Sequence, residues 1–211
     1  MSKKVFRNTV SGFTHLGGAV LAIAGTVFLA LGEAGNVERL ASFLIFGISM
    51  ALLFSASATY HLVTGPAGLI RVCHIIDHCM IYVLIAGTYT PIVSVSFTGA
   101  LKWGYIIGIW AFAFAGILLK AFFTGRFRIL STIIYLVMGW SVIFAIVPLA
   151  RNLPTGGVVL LLSGGAFYTA GGVIYAAKRP NIFKYFGFHE LFHIFVLLGA
   201  LAHYFMVLLF L

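Results

Sequence analysis

Seven long apolar runs, joined by short polar connections, limit what this chain can fold into more than any other feature. They are Ser11–Leu31, Leu40–Val63, Val72–Val95, Leu101–Lys120, Ile129–Leu149, Gly156–Ala177 and Phe188–Leu211. Each holds about 20 residues or slightly more, which at 1.5 Å per residue crosses ~30 Å of hydrocarbon. Lipid offers backbone groups no partners, and a helix satisfies its own. The pattern therefore predicts an all-α integral membrane protein, with residues 1–211 forming a single seven-helix transmembrane domain. Short connections make successive helices antiparallel.

Composition excludes the soluble alternatives. Only 8% of the residues are charged and 62% are hydrophobic, where ordinary globular chains carry about 25% charge. A net charge of +9 could suggest a nucleic-acid partner, but the basic residues sit in the short loops. There they act as topology signals and meet anionic lipid headgroups. With the N-terminus cytoplasmic, the inner side holds Lys3, Lys4, Arg7, Arg71, Lys120, Arg126, Arg128, Lys178, Arg179 and Lys184. The outer side holds Arg39, Lys102 and Arg151. That bias predicts the N-terminus inside and the C-terminus outside.

The basic segment Met1–Asn8 precedes a run as long as a spanning helix, so the segment is read as retained rather than cleaved. Cys73 and Cys79 fall six positions apart in one helix, poorly placed to pair, and read as small reduced core residues. The glycine pairs Gly17-Gly18, Gly164-Gly165 and Gly171-Gly172 predict close helix packing. Pro91 and Pro148, near the outer ends of the third and fifth spans, predict local kinks or helix ends.

The chemistry must come from the few polar groups inside the spans. Of four acidic residues, Glu33 and Glu38 fall in the first outer loop and read as solvated. Asp77 and Glu190 fall within spans, at a depth where an ionisable group is a functional candidate by default. His189 and His193 stand four apart on one helical face, placing two nitrogen donors within reach of one tetrahedral zinc ion. His61 lies within a turn of the inner end of the second span. Asp77 is five or six residues into the third, roughly 8–9 Å deep. Three helices thus bring His61, Asp77, His189 and His193 to one layer. Ser57, one turn from His61 on the same face, either points into that layer or bonds back to its own helix.

Other readings compete. His74 and His78 repeat the four-residue spacing and flank Asp77, although His74 lies near the interface, where an imidazole needs no metal. His15 reads as interfacial or as a support behind the ligands. His203, ten residues beyond His193, lies roughly 15 Å farther along the helix and suits a buried hydrogen bond instead. The string His189-Glu-Leu-Phe-His193 matches the zinc motif of soluble metalloproteases, with Glu190 as base. The downstream ligands of that motif are missing here. Glu190 in a first helical turn is also explained by the helix dipole.

Ser57-Ala-Thr-Tyr-His61, Asp77-His78, Ile81-Tyr-Val-Leu-Ile-Ala-Gly-Thr-Tyr-Thr-Pro91 and His189-Glu-Leu-Phe-His193 together resemble the hemolysin III family. That family belongs with the progestin and adipoQ receptors, among them the adiponectin receptors. Thr14-His15, Met138-Gly139-Trp140 and His203 resemble family positions too, and the compact chain looks like the bacterial branch, which implies a multi-pass protein of the bacterial plasma (inner) membrane. The resemblance implies an adiponectin-receptor-like fold around a Zn2+ ion held by His61, His189 and His193. It implies that Asp77 holds or deprotonates the zinc-bound water. Ser57 matches the serine of the wider superfamily that includes alkaline ceramidases. The expected activity is zinc-dependent hydrolysis of a lipid amide drawn from membrane lipids, contributing to lipid homeostasis. The alternatives are a non-enzymatic sensor of membrane state with structural zinc, and the pore-forming cytolysin of the family name.

Overall fold

A computed structural model describes residues 8–33, 35–123, 128–183 and 186–211, together with the backbone but not the side chain of Arg128. Lys3, Lys4, Arg7, Arg126 and Lys184, which carry half of the inner charge bias, lie outside the described residues. The chain forms seven helical spans long and apolar enough to cross a membrane. Six are single helices: α1 Thr9–Gly32, α2 Val37–Leu62, α3 Ala67–Ser96, α4 Gly99–Phe122, α7 Thr155–Ala177 and α8 Phe188–Phe210. The fifth is broken into α5 Arg128–Trp140, a 3-10 turn Ser141–Ala145 and α6 Ile146–Asn152. Among the described residues there is no strand, only an isolated bridge between Phe183 and Phe186.

Helix α1 packs along α2, α2 along α3 and α7 along α8, while α8 returns against α1. Phe46, Met50, Tyr82, Ala86, Met138 and Met206 fill the interior. Side chains such as Leu21, Phe114 and Phe144 point outward, the surface expected to face lipid. Glycine lets helices approach at several of the expected places: a Cβ on Gly164 would collide with the His203 ring, and one on Gly18 with Leu197. Gly17 departs from that expectation, since nothing lies near it. Cys73 and Cys79 are both free thiols.

Two boundaries differ from the hydropathy pattern. Helix α3 starts at Ala67, five residues before the apolar run, because Pro66 occupies its N-cap in extended conformation. Asp77 therefore lies ten residues past the first residue of its helix, deeper along it than the run suggested. The break in the fifth span begins upstream of Pro148, at Ser141, and its cause is Tyr89 of α3. The Val142 N–H donates to the Tyr89 hydroxyl at 2.6 Å, and that hydroxyl donates to the Gly139 carbonyl at 2.7 Å. A side chain inserted into the helical ladder replaces the bond Val142 would have made to Met138. Pro148 then falls in the first turn of α6, where a missing N–H does no harm. Pro91 does not end α3, which continues to Ser96. Beside it Thr88 and Thr90 donate to the carbonyls of Leu84 and Ala86 at 2.8 and 2.9 Å.

If the Tyr89 hydroxyl makes this break, Tyr89→Phe leaves the Val142 N–H unpaired and lowers unfolding stability by about 1–3 kcal/mol. Denaturant unfolding in detergent measures this. Unchanged stability would mean the fifth span re-forms a regular helix without it.

Candidate metal centre

The end of α2 and the start of α8 meet on one side of the bundle. His61 occupies the last turn of α2 and His189 the first turn of α8, with His193 one turn further along. His61 and His193 are 3% and 2% exposed, so their rings are held inside protein rather than turned to lipid. One ring nitrogen from each of His61, His189 and His193 lies within 4.8 Å of the other two. Among the described residues, no other group of three or more His, Cys, Asp or Glu side chains converges this way.

The arrangement fits a metal ion. Zinc–nitrogen bonds of about 2.0–2.1 Å at tetrahedral angles place two ligand nitrogens about 3.3 Å apart. His61 Nε2 and His189 Nε2 are 3.3 Å apart. Without an ion the same contact is an imidazole–imidazole hydrogen bond. His193 Nδ1 is buried with no hydrogen-bond partner, as are His15 Nδ1 and His203 Nδ1 outside the cluster, so the convergence of the three rings is what fits an ion.

Asp77 lies beside this cluster, 8% exposed. Its carboxylate faces the Ser57 hydroxyl, the His78 ring and, farther off, His61. The Asp77 Oδ2 to His78 Nδ1 distance is 3.4 Å. That same His78 nitrogen lies 3.0 Å from the His74 carbonyl, and His78 Nε2 lies 3.5 Å from the Tyr175 hydroxyl. His78 is thus tied to its own helix and to α7, and it does not join His74 in a rival ligand set. Sequence reading had no signal for Tyr175, which is brought in from α7 by packing alone.

The remaining polar residues sort by their partners. His15 is buried, not interfacial: its Nε2 lies 3.3 Å from the His193 carbonyl, and the two rings are 4.0 Å apart. His203 Nε2 lies 3.1 Å from the Leu161 carbonyl, away from the cluster. Glu190 does not point into the metal centre. Its Oε2 accepts the Gly187 N–H at 2.8 Å, capping α8, and its Oε1 accepts the Asn8 amide at 2.8 Å. A general base needs a free lone pair aimed at the reacting proton, so the metalloprotease-like reading of Glu190 loses its geometry.

A cavity of about 150 Å3 runs from Ser57, Asp77 and His193 to Tyr89, Trp140 and His203. Between these ends the walls are mostly apolar, including Leu53, Ile81, Leu84, Ile85 and Val196. The chain can therefore hold a cation at one end of an apolar chamber, with a carboxylate and a hydroxyl beside it.

Comparison with known proteins places the whole chain in one family. The model of the family described as "Haemolysin-III related" matches residues 3–204. The chain is 41% identical over 200 residues to a hemolysin-3 homolog of Bacillus subtilis, covering 94% of this chain and 91% of that one. It is 36% identical to hemolysin-3 of Bacillus cereus, covering 99% and 93% of the two chains. More distantly, it is 27% identical to the human monocyte to macrophage differentiation factor, covering 96% and 83%.

The geometry separates the histidines into two classes that elemental analysis can tell apart. If the three histidines hold zinc, the purified parent chain is expected to retain a single zinc ion, His193→Ala to lose it, and His203→Leu to keep it while unfolding more readily. Zinc retained by His193→Ala would place the ion elsewhere.

Proposed function

We infer the function of this chain from one premise: it belongs to the haemolysin-III related family. It is a multi-pass integral protein of the bacterial inner membrane. We propose that it holds Zn2+ through His61, His189 and His193 near the cytoplasmic leaflet and hydrolyses a lipid amide of ceramide type. The observation carrying this reading is the meeting of three imidazoles, a buried carboxylate and a serine hydroxyl at one end of an apolar cavity. The cytoplasmic placement is supported by Arg71, Lys120, Lys178 and Arg179, which share the histidine-bearing end of the bundle.

Held by the imidazoles of His61, His189 and His193, a zinc ion would supply Lewis acidity, activating water near neutral pH and polarising a carbonyl. Asp77 is the residue that would accept the proton and direct the nucleophilic oxygen, because its carboxylate is buried at the edge of the histidine cluster and lines the same cavity. His78 fixes the orientation of that carboxylate. The Ser57 hydroxyl hydrogen-bonds the Asp77 carboxylate; once that carboxylate has taken the proton, Ser57 would be free to turn its own toward charge developing on the carbonyl oxygen. The apolar walls take the acyl chain, which leaves the amide at the polar end of the cavity.

Hydrolysis of a labelled lipid amide by purified zinc-loaded protein tests this. Asp77→Ala is expected to lower turnover about 10²–10⁴-fold, the usual contribution of a positioned acid–base group. Equal turnover by both proteins removes Asp77 from the mechanism. Zinc-dependent stability with no turnover by either protein favours a structural ion in a sensor of membrane state.

A further inference from the structure

The metal reading leaves open how the ligands are held together. His61 and His189 stand 128 positions apart in the chain. Among the described residues α2 and α8 meet at their histidine rings without packing along each other; α1 packs against both, and α3 packs along α2 and touches α8 more lightly. Of the two helices that touch both, α1 is the one whose start lies against both ligand-bearing helix ends through hydrogen bonds.

We propose that Asn8 and Glu190 form a polar strap that sets the spacing of these ends, making both positioning residues for the metal centre. The inference rests on the metal reading of the histidine cluster. Asn8 reaches both sides at once. Its backbone N–H donates to the His61 carbonyl at 3.0 Å, and its side-chain amide donates to Glu190 Oε1 at 2.8 Å. Glu190 lies between the two α8 ligands in sequence and is anchored in turn by the Gly187 N–H at 2.8 Å. The strap continues along one stripe of α1, since residues 8, 11 and 15 share a helical face. The Ser11 hydroxyl lies 3.5 Å from Glu190 Oε1, and His15 Nε2 lies 3.3 Å from the His193 carbonyl. One face of α1 thus touches the carbonyl of one ligand, the carbonyl of a second and the carboxylate beside the third.

The consequence for the ion is geometric. Tetrahedral coordination needs ligand nitrogens about 3.3 Å apart, so a shift of the helix ends by an ångström spoils the site. Partners behind metal ligands typically contribute 10–100-fold to affinity.

Exchanging the polarity of the strap tests it. Asn8→Asp sets two carboxylates against each other and is expected to weaken zinc binding about tenfold or more. Adding Glu190→Gln should recover most of that loss. The new amide nitrogen donates to the new carboxylate, while its oxygen still accepts the Gly187 N–H. Zinc affinity is read by competition with a chelator. In metal-free protein, hydrogen exchange in the first turn of α8 should quicken in Asn8→Asp and slow again in the double variant. A generic packing defect would not be rescued, because neither substitution restores lost volume. Parental affinity and exchange in Asn8→Asp, or strictly additive losses in the double variant, would overturn the proposal. A parent chain that binds no zinc would instead sink the metal reading. The exchange rescue would then still decide whether the strap joins the helix ends.

Discussion

Hydrocarbon gives a polar group nothing to bond with, so every donor and acceptor in the spans must find its partner inside the protein. Most of the hydroxyls meet this demand locally. Thr14, Thr26, Ser49, Thr88 and Thr90 each donate to a carbonyl three or four residues back on their own helix. A smaller set reaches across to other elements, and these side chains determine the architecture. Tyr89 breaks the fifth span, Asn152 ties its end to the Ser96 carbonyl at 2.8 Å, and His203 closes on α7. Ser96, Tyr168 and His203 each keep one buried polar atom unpaired, but only His61, His189, His193 and Asp77 gather ionisable side chains into one layer among the described residues.

That layer is built from helix ends. Helix α2 presents its C-terminus, the negative end of its dipole, beside His61, which suits a cation. Helix α8 presents its positive N-terminus beside His189, which by itself disfavours one. The Glu190 carboxylate in that first turn offsets the unfavourable end and at the same time caps it. The acidic residue between the two histidines therefore has an electrostatic and a mechanical role, and neither requires it to touch a substrate.

Much of this was legible in the sequence, for reasons that can be named. Hydropathy fixes the spans because the bilayer imposes one length on all of them. The common depth of His61, His189 and His193 follows from counting residues from the helix ends, and the resemblance to hemolysin III proteins singled out the same three. What could not be read depends on side chains that arrive from elsewhere. The break at Ser141 needs Tyr89, about fifty positions away. Tyr175 meets His78 only because α7 comes back to that end of α3. Asn8 looks like an ordinary residue ahead of a helix until α1, α2 and α8 are assembled. His15 was ambiguous because a histidine near a helix end is equally at home in headgroups or against a neighbour, and packing against His193 decides between them.

Anomalous scattering at the zinc absorption edge from crystals of the purified chain tests the central claim most directly. The account predicts one strong peak, about 2.0–2.1 Å from ring nitrogens of His61, His189 and His193 together. A peak beside His74 and His78, or none between α2 and α8, would contradict it.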